Sequence, residues 1–171
     1  MKKLGFIDLF IDEWHANNYP AWIKTARRGT EFELAYAWER APQNGHPLET
    51  WCAAFGVTPL KNLAENVAQS DALFVLAPSN PEVHRELAEI PLKSGKPVFV
   101  DKPFAPSKAD AEAMFELAAK HNTPLMSSSA LRFSTELDAY RNKPGTTYME
   151  TTGGGRSFWE YSIHQIEMIV S

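Results

Sequence analysis

The sequence predicts an α/β chain: a doubly wound, mostly parallel sheet followed by the start of a truncated second α/β domain. Three observations predict it. Ala72-Leu-Phe-Val-Leu-Ala77 is a continuous apolar run of strand length, as expected of a parallel strand covered on both faces. Helical stretches alternate with such runs at the spacing of βαβ units, whose right-handed crossovers give a doubly wound layer. A second run, Val98-Phe-Val100, ends abruptly in Asp101, Lys102 and Pro103. A buried strand there delivers a carboxylate and an amine to its carboxyl end, where open α/β sheets bind ligands.

Taken in order, Leu4 to Phe10 reads as a buried first strand running into the polar segment Asp12 to Asn18. Tyr19-Pro20 is expected to open a helix through about Arg27, with Pro20 in its first turn and Gly29 as its stop. Glu31 to Glu39 is a second strand, Pro42 to Pro47 a loop, and Glu49 to Phe55 a short helix closed by Gly56. Leu60 to Ser70 holds a further helical turn or two. After the Ala72–Ala77 strand, Asn80 is placed as N-cap and Pro81 as first helical residue, with Pro91 breaking the last part of a helix that stops at Gly95. Pro97 to Val100 is the next strand. Ser107 then caps a helix with Asp110 in a capping-box variant, and Pro124 to Ser127 starts another strand. Beyond Ala130 the character changes: a polar helix-like stretch, a turn at Lys143-Pro-Gly145, a strand from Thr146 to Thr151, and a helix from Ser157 to Val170. The division is 1–130 for the first domain and 131–171 for the truncated beginning of a substrate or oligomerisation domain.

Composition narrows the function classes. The chain has 171 residues, 44% hydrophobic and 22% charged, enough for one core of domain size. A net charge of -4 makes no electrostatic case for nucleic acid or an anionic membrane. No apolar run approaches the ~20 residues of a spanning helix. The lone Cys52 excludes an internal disulfide, fits a reducing cytoplasm, and in its apolar surroundings reads as an inert buried thiol. Asp12, Glu13 and His15 match no tight ligand spacing, so no metal is expected.

Three motifs are similar to those of the glucose-fructose oxidoreductase / inositol dehydrogenase / rhizopine-catabolism (Gfo/Idh/MocA) family. They are Pro78-Ser-Asn80-Pro-Glu-Val-His84, Gly95-Lys-Pro-Val-Phe-Val-Asp101-Lys102-Pro103-Phe-Ala105, and Leu131-Arg132-Phe133; Glu160-x-x-x-His164 is a weaker fourth. The resemblance implies a Rossmann-like nucleotide domain and hydride transfer between NAD or NADP and a sugar, cyclitol or related polyol, hence a role in carbohydrate metabolism. It implies Lys102 as the residue that orients the substrate hydroxyl and shares its proton, His164 as acid/base, and Glu160 as a positioning group one helical turn away. It further implies cofactor contacts from Phe10, Ile11, Glu39, Arg40, Pro78, Asn80, His84, Asp101, Lys102 and Arg132, and a homo-oligomer in the full-length form. The chemistry suits the set: oxidising a secondary alcohol needs a base tuned toward neutrality within hydrogen-bond reach of the hydroxyl.

The first turn departs from the pattern. A phosphate-binding turn wants G-x-G-x-x-G, and the equivalent positions here are Asp8, Phe10 and Glu13. Either the loop takes another path and holds phosphate weakly, or the lineage no longer binds a dinucleotide. Glu39 stands where a ribose-binding acid belongs, and Arg40 beside it admits a phosphorylated ribose. Asp101 either pairs with Lys102 or caps the next helix, and His84 reads as structural or as part of a cofactor loop. The alternatives to a polyol oxidoreductase are a non-redox binding or regulatory module that has lost dinucleotide affinity, and lyase or hydrolase chemistry on Lys102 and His164. Lacking most of a substrate domain, the chain is expected to have little activity by itself.

Overall fold

The computed structural model describes residues 1–43, 46–141 and 143–171. Among these, six strands, β1 (Lys2–Asp8), β2 (Phe32–Glu39), β3 (Thr58–Pro59), β4 (Ala72–Val75), β5 (Val98–Val100) and β6 (Leu125–Met126), form one sheet in the order β3-β2-β1-β4-β5-β6. Every neighbouring pair is parallel. The order reverses between β1 and β4, the switch point outside whose carboxyl ends open α/β sheets bind ligands. This is the doubly wound arrangement read from the sequence.

The period-two geometry of β1 builds two cores. Phe6 faces one side, packing with Ala16, Ala37, Trp51, Cys52 and Leu76; Ile7 faces the other, with Val75, Leu87, Leu92, Val98 and Met114. The first core is closed by α1 (Trp14–Thr25) and α2 (Leu48–Phe55), the second by α3 (Leu63–Gln69), α4 (Pro81–Leu92) and α5 (Lys108–Lys120). Burial pushes the Cys52 thiol up to about 12, as an inert core thiol requires.

The helix ends follow local chemistry. Gly56 takes φ +70° after α2, a conformation that suits glycine. Asn62 accepts the Glu65 N–H at 2.8 Å to start α3, and Lys96 Nζ closes its far end by donating to the Val67, Ala68 and Ser70 carbonyls. Ser107 accepts the Asp110 N–H at 3.1 Å at the head of α5, while the Asp110 carboxylate takes the Ser107 hydroxyl and Arg85. Gly5, inside β1, has no room for a side chain: an added Cβ would lie 2.2 Å from both Asn66 Oδ1 and Ser70 Oγ.

Three expectations are corrected and one strand is added. Helix α1 begins at Trp14, and Pro20 lies inside it. The Glu13 carboxylate caps the helix upstream, so it is already formed when the chain reaches the proline, which forfeits one intrahelical bond. Asn80 occupies the cap position of α4 but its side chain makes no capping bond; its amide donates to Glu82 at 3.2 Å. Thr58–Pro59, to which the sequence assigned no element, pairs with β2 as the short edge strand β3. Thr146 to Thr151 forms no ladder among the described residues, because no neighbouring strand is there to receive it. Asn44 and Gly45, within the loop read over 42–47, and Asn142, in the polar stretch, lie outside the described residues.

After β6 come two 3₁₀ turns, Ala130–Phe133 and Thr135–Leu137, and then helix α6 (Phe158–Val170). Helix α6 is tied back by Arg132, which donates to Glu167 at 2.5 Å. No helix of the described residues is long and apolar enough to cross a membrane.

Candidate functional site

Chemistry-bearing side chains meet at the carboxyl end of the sheet, and Lys102 is at their centre. It follows β5 directly, is nearly buried, and leads into a cis peptide at Pro103. Its ammonium lies 5.7 Å from the centroid of the Tyr161 ring on α6. One helical turn from Tyr161, His164 Nδ1 sits 2.6 Å from the Ser129 hydroxyl, which also accepts the Leu131 N–H. This leaves Nε2 without a partner among the described residues. Burial, then the positive charge of Lys102, then His15, holds His164 below its usual value, so the ring is neutral near neutral pH and able to accept a proton. Glu160, on the same face of α6, accepts the Ser79 hydroxyl at 2.6 Å, linking α6 to the loop after β4.

Among the described residues Asp101 forms no ion pair with the Lys102 ammonium, and the next helix is capped by Ser107 instead. One Asp101 oxygen accepts the Lys102 N–H at 2.8 Å, and the other meets His15 Nδ1 across the mouth of the sheet. His15 also stacks on Tyr19, with centroids 5.4 Å apart and planes 8° from parallel. Sequence reasoning missed this pair. Its members lie far apart in the chain, and the only signal was a histidine one turn before a tyrosine in a helix read as starting too late.

Several expected cofactor contacts are turned to other uses. The Glu39 carboxylate is buried, accepting Ile11 N–H and Leu48 N–H, each at 2.9 Å, and so braces two loops. Ile11 is fully buried, its N–H spent on Glu39. Arg40 is exposed and donates to Glu86 at 2.8 Å. His84 is fully buried, its ring nitrogens 3.0 Å from the Phe104 and Ala77 carbonyl oxygens, so it stitches the β4 loop to the β5 loop. Arg132 is engaged by Glu167, and Asn80 by Glu82. Phe10 and Pro78 are half-buried in the loops that flank the switch point.

The family model described as an oxidoreductase family with an NAD-binding Rossmann fold, Gfo/Idh/MocA, matches residues 13–129. The chain belongs to this family. An uncharacterized oxidoreductase of Schizosaccharomyces pombe is 34% identical over 103 residues, 60% of this chain and 27% of that protein. The solved structure of a Bacillus cereus oxidoreductase superposes with a TM-score of 0.72 at 20% identity, covering 99% of this chain and 52% of that one. An Agrobacterium radiobacter oxidoreductase, solved with NAD+, L-tartaric acid and magnesium, superposes with a TM-score of 0.66 at 23% identity, covering 81% of this chain and 38% of that one. The chain thus spans about half the length, or less, of these proteins.

The nucleotide that the Gfo/Idh/MocA family binds does not fit the first turn as it stands. A pyrophosphate needs free backbone N–H groups there and at the head of α1. Instead Asp8 accepts the Leu9 and Ala77 N–H groups at 2.7 and 3.1 Å, Glu39 takes Ile11, and Glu13 takes Ala16 and His15 at 2.5 and 2.7 Å. Asp8 and Glu13 are carboxyl groups whose burial raises both above the usual range, with the Glu13 charge adding to the rise at Asp8. Asp8 is fully buried, and its Oδ2 has no partner among the described residues.

The raised Asp8 has a stability consequence. A carboxyl whose folded value lies above its unfolded value contributes fully below the latter and loses that contribution as pH rises. Asp8→Asn is therefore expected to raise the melting temperature at neutral pH, with the gain shrinking as pH falls through the raised folded value and gone below the ordinary aspartate value of 3.8. Thermal unfolding of both proteins across pH measures this; a gain that is constant with pH refutes the assignment.

Proposed function

We propose that this Gfo/Idh/MocA chain forms the proton-handling half of an oxidoreductase site for a secondary alcohol of a sugar, cyclitol or related polyol. The observation that supports this most is the meeting of Lys102, after β5, with Tyr161 and His164 of α6 above the carboxyl ends of the strands. Residues 1–130 are the Rossmann-like unit in this reading, and 131–171 begin the substrate domain that brings the histidine in.

The Lys102 ammonium orients the substrate hydroxyl as a point donor and stabilises the developing alkoxide. Neutral His164, fixed by Ser129, accepts the hydroxyl proton at Nε2. Glu160, held by Ser79, accepts a hydrogen bond from a neighbouring hydroxyl of the polyol. The family's nucleotide, NAD or NADP, accepts hydride when bound. The first turn does not seat its pyrophosphate in this arrangement, so no hydride step is assigned to these residues. A second reading, a non-redox binding or regulatory module, is favoured by that filled turn alone.

The histidine ring protons, followed by NMR while myo-inositol, glucose and tartrate are titrated in, test the proposal. At least one of the three should shift the His164 resonances saturably, and Lys102→Ala should abolish the response. If none of the three produces a saturable shift, the substrate reading is wrong.

A further inference from the structure

We propose that Glu13 is an internal stand-in for a nucleotide phosphate: its carboxylate closes the anion site at the head of α1, and a dinucleotide seats there only once that side chain is displaced. Three observations carry this. The two Glu13 oxygens accept the Ala16 and His15 N–H groups at 2.5 and 2.7 Å, the donors that an oxyanion at a helix N-terminus would use. The helix runs twelve residues, from Trp14 to Thr25, so its N-terminal end presents a developed positive potential for the carboxylate to neutralise. Next to it, fully buried Asp8 leaves Oδ2 without a partner among the described residues, and in the protonated form that burial favours this oxygen is a donor that no group of the chain takes up.

The closure is local and reversible. Glu13 is half-buried and lies outside the strands, so displacing its side chain would free both N–H groups and leave the strand ladders in place. Among the described residues no group of three His, Cys, Asp or Glu side chains is placed to hold an ion. The inference does not use the roles given to Lys102 and His164, although His15 links the two regions by giving its N–H to Glu13 and its ring to Asp101.

Isothermal titration of the whole chain with NADH, NADPH and inorganic pyrophosphate tests it, in wild type, Glu13→Ser and Glu13→Gln. Serine is a good N-cap, so Glu13→Ser keeps α1 intact while removing the charge. The far-ultraviolet circular dichroism of each variant confirms that it is folded. Glu13→Ser is expected to bind all three probes tighter than wild type by about tenfold or more, since one carboxylate at contact distance from a phosphate is removed. Glu13→Gln should fall between, and in Glu13→Ser pyrophosphate should shift the amide resonances of His15 and Ala16. The proposal fails if wild type binds the probes as tightly as Glu13→Ser, and equally if neither variant gains affinity. Pyrophosphate carries neither nicotinamide nor polyol, so its response does not depend on whether the substrate reading is right.

Discussion

Lys102→Ala is expected to reduce turnover of the polyol selected by titration by about 10²–10⁴-fold, the usual range for loss of a positioned proton-transfer group. The loss should fall on kcat more than on KM, because the charge matters most as the alkoxide develops. Steady-state kinetics on a form that carries a complete substrate domain would show it. Folding is a weak confounder. The ammonium's recorded side-chain partner is the Tyr161 ring, and such a contact is worth about 0.5–2 kcal/mol. Lys102→Arg keeps the charge but spreads it over a planar fork, and should recover only part of the rate. Undiminished turnover in Lys102→Ala would remove the lysine from the mechanism.

Gly5→Val is the change expected to hurt stability most. The new Cβ alone would come 2.2 Å from Asn66 Oδ1 and Ser70 Oγ, neither of which is a free surface group. Asn66 is fully buried; its amide donates to the Phe6 carbonyl at 2.7 Å and its oxygen accepts from Ser70 at 3.0 Å. Displacing it breaks both bonds and forces the first strand from α3, a loss of about 2–5 kcal/mol from overpacking and unpaired polar groups together. Urea unfolding followed by tryptophan fluorescence should show the midpoint falling with an unchanged slope. A loss under about 1 kcal/mol would mean that α3 yields more readily than its packing indicates.

The parts of the fold that were legible in the sequence were those written in local pattern. The Ala72 and Val98 runs are covered on both faces and so carry no polar alternation, and Ser107, Gly56 and Pro81 mark helix ends by chemistry that needs no distant partner. What failed depended on partners far along the chain. Pro20 looked like a helix start because the capping role of Glu13 is invisible until the strand-to-helix turn is folded. Thr146 to Thr151 has strand composition, but a strand exists only where a neighbour offers a ladder. At the site, the lysine and the α6 histidine were legible as motif residues. The inward turn of Glu39 and the His15–Asp101 pair were not, because each is fixed by groups brought together only by the completed sheet.

The central position of β1 also governs the order in which the molecule can assemble. Its residues 4–7 find one neighbour in β2 and the other only at residues 72–75 of β4. During synthesis the strand leaves the ribosome long before β4 does, holding Phe6 and Ile7 with one flank open. Pairings so distant in sequence are slow to close, and unpaired apolar edges are where nascent chains associate wrongly. A ribosome stalled before Ala72 should therefore display a β1–β2 pair that binds holdase chaperones, and release of β4 should end that binding.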